Sequence, residues 1–135
     1  MPETAQLATA ILALSKKSWI EASRDTSEVT ESEFLALDHL ADAGTVTVGE
    51  VQKCIKVAPA QMSRILRRLE GGGFVTSDIN REDRRRIDIT ITESGRAVHA
   101  KYRKAKLAPI LAALERLSSE ERAAFMQLVN KMSAR

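Results

Sequence analysis

Residues 58–92, APAQMSRILRRLEGGGFVTSDINREDRRRIDITIT, contain signals for a helix, a stop and a hairpin, in that order. Pro59 stands in the first turn of a segment with helical periodicity, where the missing backbone donor of proline costs nothing. Three glycines, Gly71–Gly73, end this helix at about Glu70. Apolar and polar residues then alternate over residues 87–91, which indicates a strand. The stretch therefore predicts a helix followed by a two-stranded hairpin with a charged tip.

Two further helices precede this stretch, and each begins at a capping box. Thr30 and Thr47 are both followed three residues later by glutamate, so each threonine–glutamate pair can satisfy two backbone donors. Gly44 ends the first of these helices, since glycine is favoured just past a helix end. We predict a very short strand at residues 45–46 and a short helix over residues 48–55.

Amphipathic helices flank these elements on both sides. Residues 5–24 place apolar side chains at steps of three and four, and the polar stretch 25–29 ends that helix. A long helix over residues 92–117 is expected to be kinked or split by Pro109. A last helix covers residues 119–132.

The order of these elements is that of a winged helix-turn-helix domain. We predict a mainly α-helical fold and one domain over residues 1–135, with a winged helix-turn-helix lobe of three helices and a β-hairpin at residues 30–92. Residues 1–29 and 93–135 would form the dimerisation region. Their apolar faces can be buried inside one subunit or across an interface. Two terminal helices with wide apolar faces favour the homodimer.

Composition and charge agree with this prediction. The 135-residue chain has 44% hydrophobic and 29% charged residues, which is typical of a folded domain and not of a disordered or membrane protein. Aromatic residues amount to only 4%, so aliphatic side chains must form the core. The net charge is +3, yet residues 56–86 alone contain eight basic and four acidic side chains. Positive charge is thus concentrated in one segment, as in proteins that bind nucleic acid.

Cysteine usage and hydropathy bear on the compartment. Cys54 is the only cysteine, so an intrachain disulfide is excluded and a reducing compartment is favoured. No apolar run reaches the roughly 20 residues of a transmembrane helix, and the first 20 residues do not follow a signal-peptide pattern. We therefore predict a cytoplasmic protein that does not bind membranes.

The helix that starts at Pro59 is the candidate recognition helix. In helix-turn-helix proteins the second helix lies in the major groove, and its N-terminal residues contact base edges. Arginine can donate two hydrogen bonds to guanine, and glutamine can pair with adenine. Residues further along the helix would contact phosphates or remain solvated. The candidate residues are Pro59, Gln61, Ser63 and Arg64 in the first two turns, with Arg67 and Arg68 beyond them.

The hairpin tip is the candidate wing. Four arginines lie within six residues, and they would repel one another without an anion. Arginine suits insertion into a narrow minor groove, where the potential is most negative. Asp83 is unexpected beside phosphates, and a salt bridge that orients a neighbouring arginine would explain it. The candidate wing residues are Arg81, Asp83, Arg84, Arg85 and Arg86.

These segments resemble the MarR family of bacterial regulators. The wing of that family carries an Asp-x-Arg element, here Asp83-Arg84-Arg85, and then a strand that ends in Leu-Thr-x-x-Gly. Residues 91–95, Ile-Thr-Glu-Ser-Gly, match that ending with isoleucine in place of leucine. Residues 62–70 and 73–75 are similar to the family's recognition helix and its exit. The resemblance covers essentially the whole chain, including the flanking helices.

The resemblance implies the function of a transcriptional regulator. It implies a homodimer held together by the first and the last two helices, and repression at a palindromic operator in double-stranded DNA. It further implies release from DNA by a small phenolic or other aromatic effector, or by an oxidant. By family analogy Arg85 would enter the minor groove and Asp83 would fix it. No cofactor is implied.

Four side chains are candidates for an effector pocket between the dimerisation helices and the DNA-binding lobe. They are Trp19, Phe34, His39 and Tyr102. Ordinary core packing is the favoured interpretation of the same residues. His39 and His99 are too isolated in the sequence to predict a metal site.

Cys54 is a candidate redox sensor, because Lys53 and Lys56 beside it favour a thiolate. The peroxide sensors of the family, however, carry their reactive cysteine near the N-terminus, where this chain has none. A small buried packing residue is the favoured interpretation.

The sequence argues against two other functional classes. A winged helix that binds protein, without sequence-specific DNA binding, would present a neutral or acidic recognition helix, in contrast to Arg64, Arg67 and Arg68. An enzyme would need a nucleophile–base pair, a phosphate loop or metal-ligand spacing, none of which the sequence contains. Gly71–Gly73 follows a helix instead of preceding one, so it is not a phosphate-binding loop.

Overall fold

The computed structural model describes residues 2–25 and 28–134, which form six helices and three strands. In chain order these are α1 (Pro2–Asp25), α2 (Glu31–Ala43), β1 (Thr45–Thr47), α3 (Val48–Ile55), α4 (Pro59–Gly71), β2 (Val75–Ile79), β3 (Ile87–Ile91), α5 (Glu93–Leu114) and α6 (Ser119–Ser133). The predicted winged helix-turn-helix order is confirmed. Part of the polar stretch expected to end the first helix, residues 26–27, lies outside the described residues.

The predicted caps form, with one exception. At α2 the Thr30 hydroxyl accepts from the Glu33 N–H at 3.2 Å, and the Glu33 carboxylate accepts from the Thr30 N–H at 3.1 Å. Thr47 accepts from the Glu50 N–H at 3.2 Å, but within the described residues the return bond is not made. The capping box at α3 is therefore only half formed.

The three strands form an antiparallel sheet in the order β1-β3-β2. β3 pairs with β2 as the predicted hairpin, with Val75 opposite Ile91 and Ile79 opposite Ile87. Ile89 and Ile91 are buried, whereas Ile79 and Ile87 are exposed. The expectation that alternate isoleucines of this strand face the core holds only for its second half, because the hairpin extends beyond the body of the lobe.

The core lies between the helices of the lobe, the sheet and α5. Its fully buried large side chains come from α2, α3, α4, β3 and α5, and they are Leu37, Leu40, Val51, Met62, Leu69, Ile89 and Tyr102. Leu66 of α4 packs against this core but is only partly buried. About one fully buried position per turn, at Met62, Ile65 and Leu69, thus suffices to hold α4 on the lobe and leaves its other faces in solvent.

The terminal helices bury much less of their apolar surface. α1 packs on α5 through Ser18 and Ala22, and the Ser18 hydroxyl donates to the Lys106 carbonyl at 2.6 Å. Ile11, Leu12 and Trp19, expected on the buried face of the first helix, remain about half exposed. Within the described chain, α6 buries none of its residues. These apolar faces are therefore uncovered in the isolated subunit.

The long helix differs from its prediction in two respects. Pro109 lies inside α5 and does not split it, since the helix is continuous over Glu93–Leu114. The helix ends three residues before the predicted Leu117, because the chain tightens there into a turn in which the Arg116 and Leu117 N–H groups donate to carbonyls three residues back.

Candidate nucleic-acid interface

The candidate recognition helix α4 presents its candidate residues to solvent. Ala58 and Pro59 begin the helix without a side-chain cap, and Met62, Ile65 and Leu69 bury one face against the lobe. Side chains between these positions must point away from the core. The exposed candidate residues are Pro59, Gln61, Ser63, Arg64, Arg67 and Arg68.

The turn between α3 and α4 fixes how α4 leaves α3. Lys56 adopts a left-handed backbone conformation, with φ 57° and ψ 53°, and its N–H donates to the Gln52 carbonyl at 2.9 Å. This conformation is unfavourable for residues other than glycine and asparagine. The tight turn is therefore maintained by the packing of the two helices on the lobe.

The wing tip is organised by a residue that the sequence analysis did not select. The Asn80 side-chain oxygen accepts from the N–H groups of Glu82 and Asp83, both at 2.9 Å, and its amide nitrogen donates to Asp88 at 2.9 Å. Its backbone N–H donates to the Arg86 carbonyl at 2.9 Å. The asparagine at the first position of the loop was the available signal, since asparagine side chains close turns in this way.

Asp83 holds the neighbouring arginines, as predicted for a salt bridge at this position. Its Oδ1 accepts from both the backbone N–H and Nε of Arg85 at 3.1 Å, and its Oδ2 lies 3.4 Å from Nε of Arg86. Hydrogen bonds from Arg85, with the charge of Arg86, lower the pKa of Asp83 below its ordinary value. The Arg85 side chain is 91% exposed, so the pair orients a guanidinium that remains open to solvent.

The wing arginines lie on two sides of the hairpin. Arg85 and Arg86 line a cleft of about 620 Å³ with Lys53 and the first residues of α3. Arg81 and Arg84 line a shallower depression of about 400 Å³ beside Ile79 and Asn80. The first cleft therefore brings cationic groups of α3 and the wing together, with the Glu50 carboxylate also in its lining.

Arg68 differs from the other candidate residues of α4. Its Nε lies 2.9 Å from Oε2 of Glu33 at the start of α2, and the Glu33 side chain is only 4% exposed. Across residues 2–25 and 28–134, Arg64 and Arg67 form no ion pair with an acidic side chain. Arg68 is thus paired within the protein, whereas Arg64 and Arg67 can bind a ligand without losing an ion pair.

Three of the four candidate effector residues come together. The Phe34 ring stacks on Tyr102, with centroids 4.8 Å apart, and the Lys106 ammonium lies 5.6 Å from the ring centroids of both Trp19 and Phe34. The Tyr102 hydroxyl donates to Glu31 at 3.0 Å, and Glu31 also pairs with Lys106. Burial and the Glu31 carboxylate raise the pKa of Tyr102 above its ordinary value.

His39 does not belong to this cluster. It lies five residues after Phe34, about 140° around the helix axis, in a shallow depression with Asp38, Asp42 and Cys54. His99 takes the expected place instead, stacked on Phe34 with centroids 5.2 Å apart.

His99, Lys106 and Glu31 also belong to this cluster, although they were not predicted from the sequence. Helical spacing was the available signal, because His99 and Lys106 lie three and four residues from Tyr102, and Glu31 lies three from Phe34. The cluster therefore joins α1 and the first turn of α2 to about two turns of α5.

Cys54 is exposed, so the prediction of a buried packing residue is wrong. α3 is a short helix that turns Val51 and Ile55 toward the core, and this leaves Cys54 on its outer side. Within the described ranges, no three His, Cys, Asp or Glu side chains form a group that could hold a metal ion. None of the helices described is long and apolar enough to cross a membrane.

Sequence comparisons identify relatives of this chain. The model of the MarR family matches residues 29–87. An uncharacterized HTH-type transcriptional regulator of Mycobacterium bovis is 31% identical over 113 residues, which cover 82% of this chain and 78% of that protein. Another, from Bacillus subtilis, is 30% identical over 90 residues, which cover 67% of this chain and 65% of the relative, just under two thirds of its length.

Solved structures share the fold over nearly the whole chain. A MarR family protein from Bacillus stearothermophilus has a TM-score of 0.85 at 24% identity, over 97% of this chain and 91% of that one. A cysteine-to-serine mutant of E. coli MarR, solved in complex with operator DNA, has a TM-score of 0.72 at 20% identity, over 99% and 95% of the two chains. Taken with the sequence matches, these similarities show that the chain belongs to the MarR family of HTH-type transcriptional regulators.

Proposed function

We propose that this protein is a homodimeric repressor that binds a palindromic operator and is released from it by a small aromatic effector. The observation that carries the proposal is the exposed Arg85 guanidinium of the wing, which Asp83 holds in place beside a cleft that Lys53 of α3 also lines. Arg64 and Arg67 of α4 are exposed as well. Because the partner would be chromosomal DNA, we place the protein in the cytoplasm.

In this proposal α4 lies in the major groove. Gln61, Ser63 and Arg64 are exposed in its first two turns, where recognition helices contact base edges. Arg67 would contact the phosphate backbone. Arg85, pre-oriented by Asp83, would enter the adjacent minor groove, and Arg81, Arg84 and Arg86 would contact the phosphates that flank it. The similar E. coli MarR fold was solved with operator DNA, which supports this docking.

The terminal helices supply the second part of the proposal. An apolar groove of about 540 Å³ runs between α1, the end of α5 and α6, lined by Leu14, Leu114, Leu117, Phe125 and Val129 among others. Exposed apolar surface of this extent is unfavourable in water and marks an interaction site. A second copy of the chain would cover it. The resulting two-fold symmetry would match a palindromic operator.

Regulation would operate through the spacing of the two recognition helices. They must lie about one DNA turn apart to enter successive major grooves. The cluster of Trp19, Phe34, Tyr102 and Lys106 joins the dimerisation helices to the lobe, and its rings and ammonium group suit a phenolic or other aromatic effector. A ligand that binds better to another spacing would weaken DNA binding by that difference in affinity.

The DNA-binding proposal is tested by titrating random-sequence duplex DNA at two salt concentrations. We expect tight binding that weakens steeply as salt increases, because phosphate contacts release counterions. Arg85→Ala should weaken binding further. Arg116→Ala removes an equal charge in the turn just after α5, a helix about 30 Å long, and should change little. Absence of binding at low salt would contradict the proposal and favour a protein-interaction module.

The effector proposal is tested with phenol and benzoate as probes. Trp19 is the only tryptophan, so its fluorescence reports on the cluster. We expect a probe that quenches this fluorescence to lower the affinity for DNA in proportion to its occupancy. An unchanged DNA affinity across phenols, aromatic acids and oxidants would instead indicate a constitutive DNA-binding protein.

A further inference from the structure

Glu33 is a buried carboxylate that joins two helices of the DNA-binding lobe. Its side chain is 4% exposed and lies in the first turn of α2. Its Oε1 accepts from the Thr30 N–H at 3.1 Å, and its Oε2 lies 2.9 Å from Nε of Arg68 in the last turn of α4. The same carboxylate therefore caps α2 and anchors α4.

Burial makes this contact more than a surface ion pair. A carboxylate removed from water is costly unless it is hydrogen-bonded and paired. Arg68 supplies the pairing charge while its side chain stays 63% exposed. Removing the Arg68 guanidinium would leave the Glu33 carboxylate buried without a positive partner. Arg68 therefore stays paired with Glu33 in the DNA-free protein, because moving it away would destabilise the fold.

The contact lies where it can set the direction of α4. Arg68 is at the C-terminal end of the helix, and the candidate base-reading residues are at the other end. Seven residues separate Gln61 from Arg68, which is roughly 10 Å along the axis, so a tilt of about 10° would move Gln61 by about 2 Å. A displacement of this size would break a hydrogen bond to a base, because hydrogen bonds tolerate only much smaller changes in distance.

We propose that Glu33 is a positioning residue for DNA recognition, which acts by holding Arg68 and thereby fixing α4 in the orientation that reads the operator. Arg68 then stays on Glu33 in the complex and does not contact a phosphate. The inference rests on the proposed DNA-binding function. In this proposal, the orientation of α4 depends on the first turn of α2. In the same turn, Glu31 contacts Tyr102 and Lys106 of α5.

The test compares Arg68→Met with Arg67→Met, the same substitution at the adjacent position of α4. The first readout is the dependence of random-duplex affinity on salt. Loss of one phosphate contact lowers that slope by about 1, so we expect this change in Arg67→Met and an unchanged slope in Arg68→Met. Equal reductions in the two variants would overturn the proposal.

The second readout is specificity, which a purely structural role would not change in the folded protein. The probe is the duplex that the wild-type protein selects from a random library, compared with random-sequence duplex. We expect Glu33→Gln and Arg68→Met to lose about tenfold for the selected duplex and less than about threefold for the random one. Arg68→Lys, which keeps the pairing charge, should recover part of the loss. An unchanged specificity ratio in Glu33→Gln would overturn the proposal.

A third readout needs no DNA and keeps failure of this inference distinct from failure of the proposed function. Unfolding by urea of Glu33→Gln, Arg68→Met and the double variant forms a double-mutant cycle. We expect the double variant to be more stable than the sum of the single changes predicts, because it leaves no unpaired buried carboxylate. Additive changes in the free energy of unfolding would contradict the pairing of Glu33 with Arg68. If the wild-type protein did not bind DNA at all, the proposed function on which the inference rests would be wrong instead.

Discussion

The DNA-binding lobe and the terminal helices use their apolar residues in opposite ways. In the lobe, Leu37, Leu40 and Met62 are fully buried within one subunit. In α6, Phe125 and Leu128 are about half exposed. The lobe therefore buries its apolar core within a single chain. The terminal helices, by contrast, have an apolar surface that a single chain does not cover. In the proposed homodimer, the terminal helices are the part of the protein that a second copy would cover.

The largest expected effect breaks the core of the lobe. Leu37→Ala should lower the free energy of unfolding by about 2–5 kcal/mol, because it removes a fully buried side chain and leaves a cavity. Leu35→Ala, two residues away on the exposed face of α2, should cost less than about 1 kcal/mol. Urea unfolding measures both. Similar losses in the two variants would contradict the assignment of the core.

A second prediction breaks the surface of the terminal helices. Phe125→Glu should convert a dimer into a monomer, since it places a charge in the apolar groove. Sedimentation velocity measures the mass, and the thermal midpoint of the wild type should rise with protein concentration. Gln127→Glu adds the same charge at an exposed polar position of α6 and should remain dimeric. A wild-type monomer at all concentrations would refute the proposed dimer.

A third prediction concerns the cluster that joins the two regions. Tyr102 is the only tyrosine, so ultraviolet absorbance reports its titration directly. Burial and the Glu31 carboxylate should place its pKa above the ordinary value of 10.0. Its interactions thus stabilise the fold below pH 10.0, and this contribution is lost as the pH rises through the raised pKa. Glu31→Gln should lower the midpoint. A wild-type midpoint at the ordinary value would contradict the described geometry.

The smallest expected effect is in the turn between α3 and α4. Lys56→Gly should stabilise the protein by less than about 1 kcal/mol, because glycine relieves the left-handed backbone while enlarging the freedom of the unfolded chain. Lys53→Gly, inside α3, should instead destabilise by about 0.5–1 kcal/mol. Thermal unfolding shows whether each variant is more or less stable than the wild type. Destabilisation in both variants would contradict the inference that the backbone of Lys56 is strained.

The sequence predicted the order and type of the elements because local signals agree with one another. Pro59 marks the start of α4, and Thr30 forms the capping box of α2. The effect of Pro109 was not predictable in the same way. Proline lacks a backbone N–H, but α5 remains continuous on both sides of it. Local signals therefore fixed where most elements begin, and tertiary contacts decided how far they extend.

The site was predicted less completely, because its pairings are long-range. The Asp83–Arg85 pair spans two residues and follows from local spacing. The Glu33–Arg68 pair joins residues 35 positions apart, and the sequence offered only a phosphate contact or a solvated side chain for Arg68. His39 was chosen in place of His99 because the sequence does not say which face of α2 meets α5. Cys54 shows the same limit, since a short helix such as α3 buries only one side.

The central claim is that two copies of α4 and the wing dock on one duplex, and hydroxyl-radical footprinting on the selected duplex tests it most directly. The account predicts two protected regions whose centres lie about one helical turn apart, each with a flanking minor-groove patch that disappears in Arg85→Ala and persists in Arg116→Ala. A single protected region, or a footprint that Arg85→Ala leaves unchanged, would contradict it.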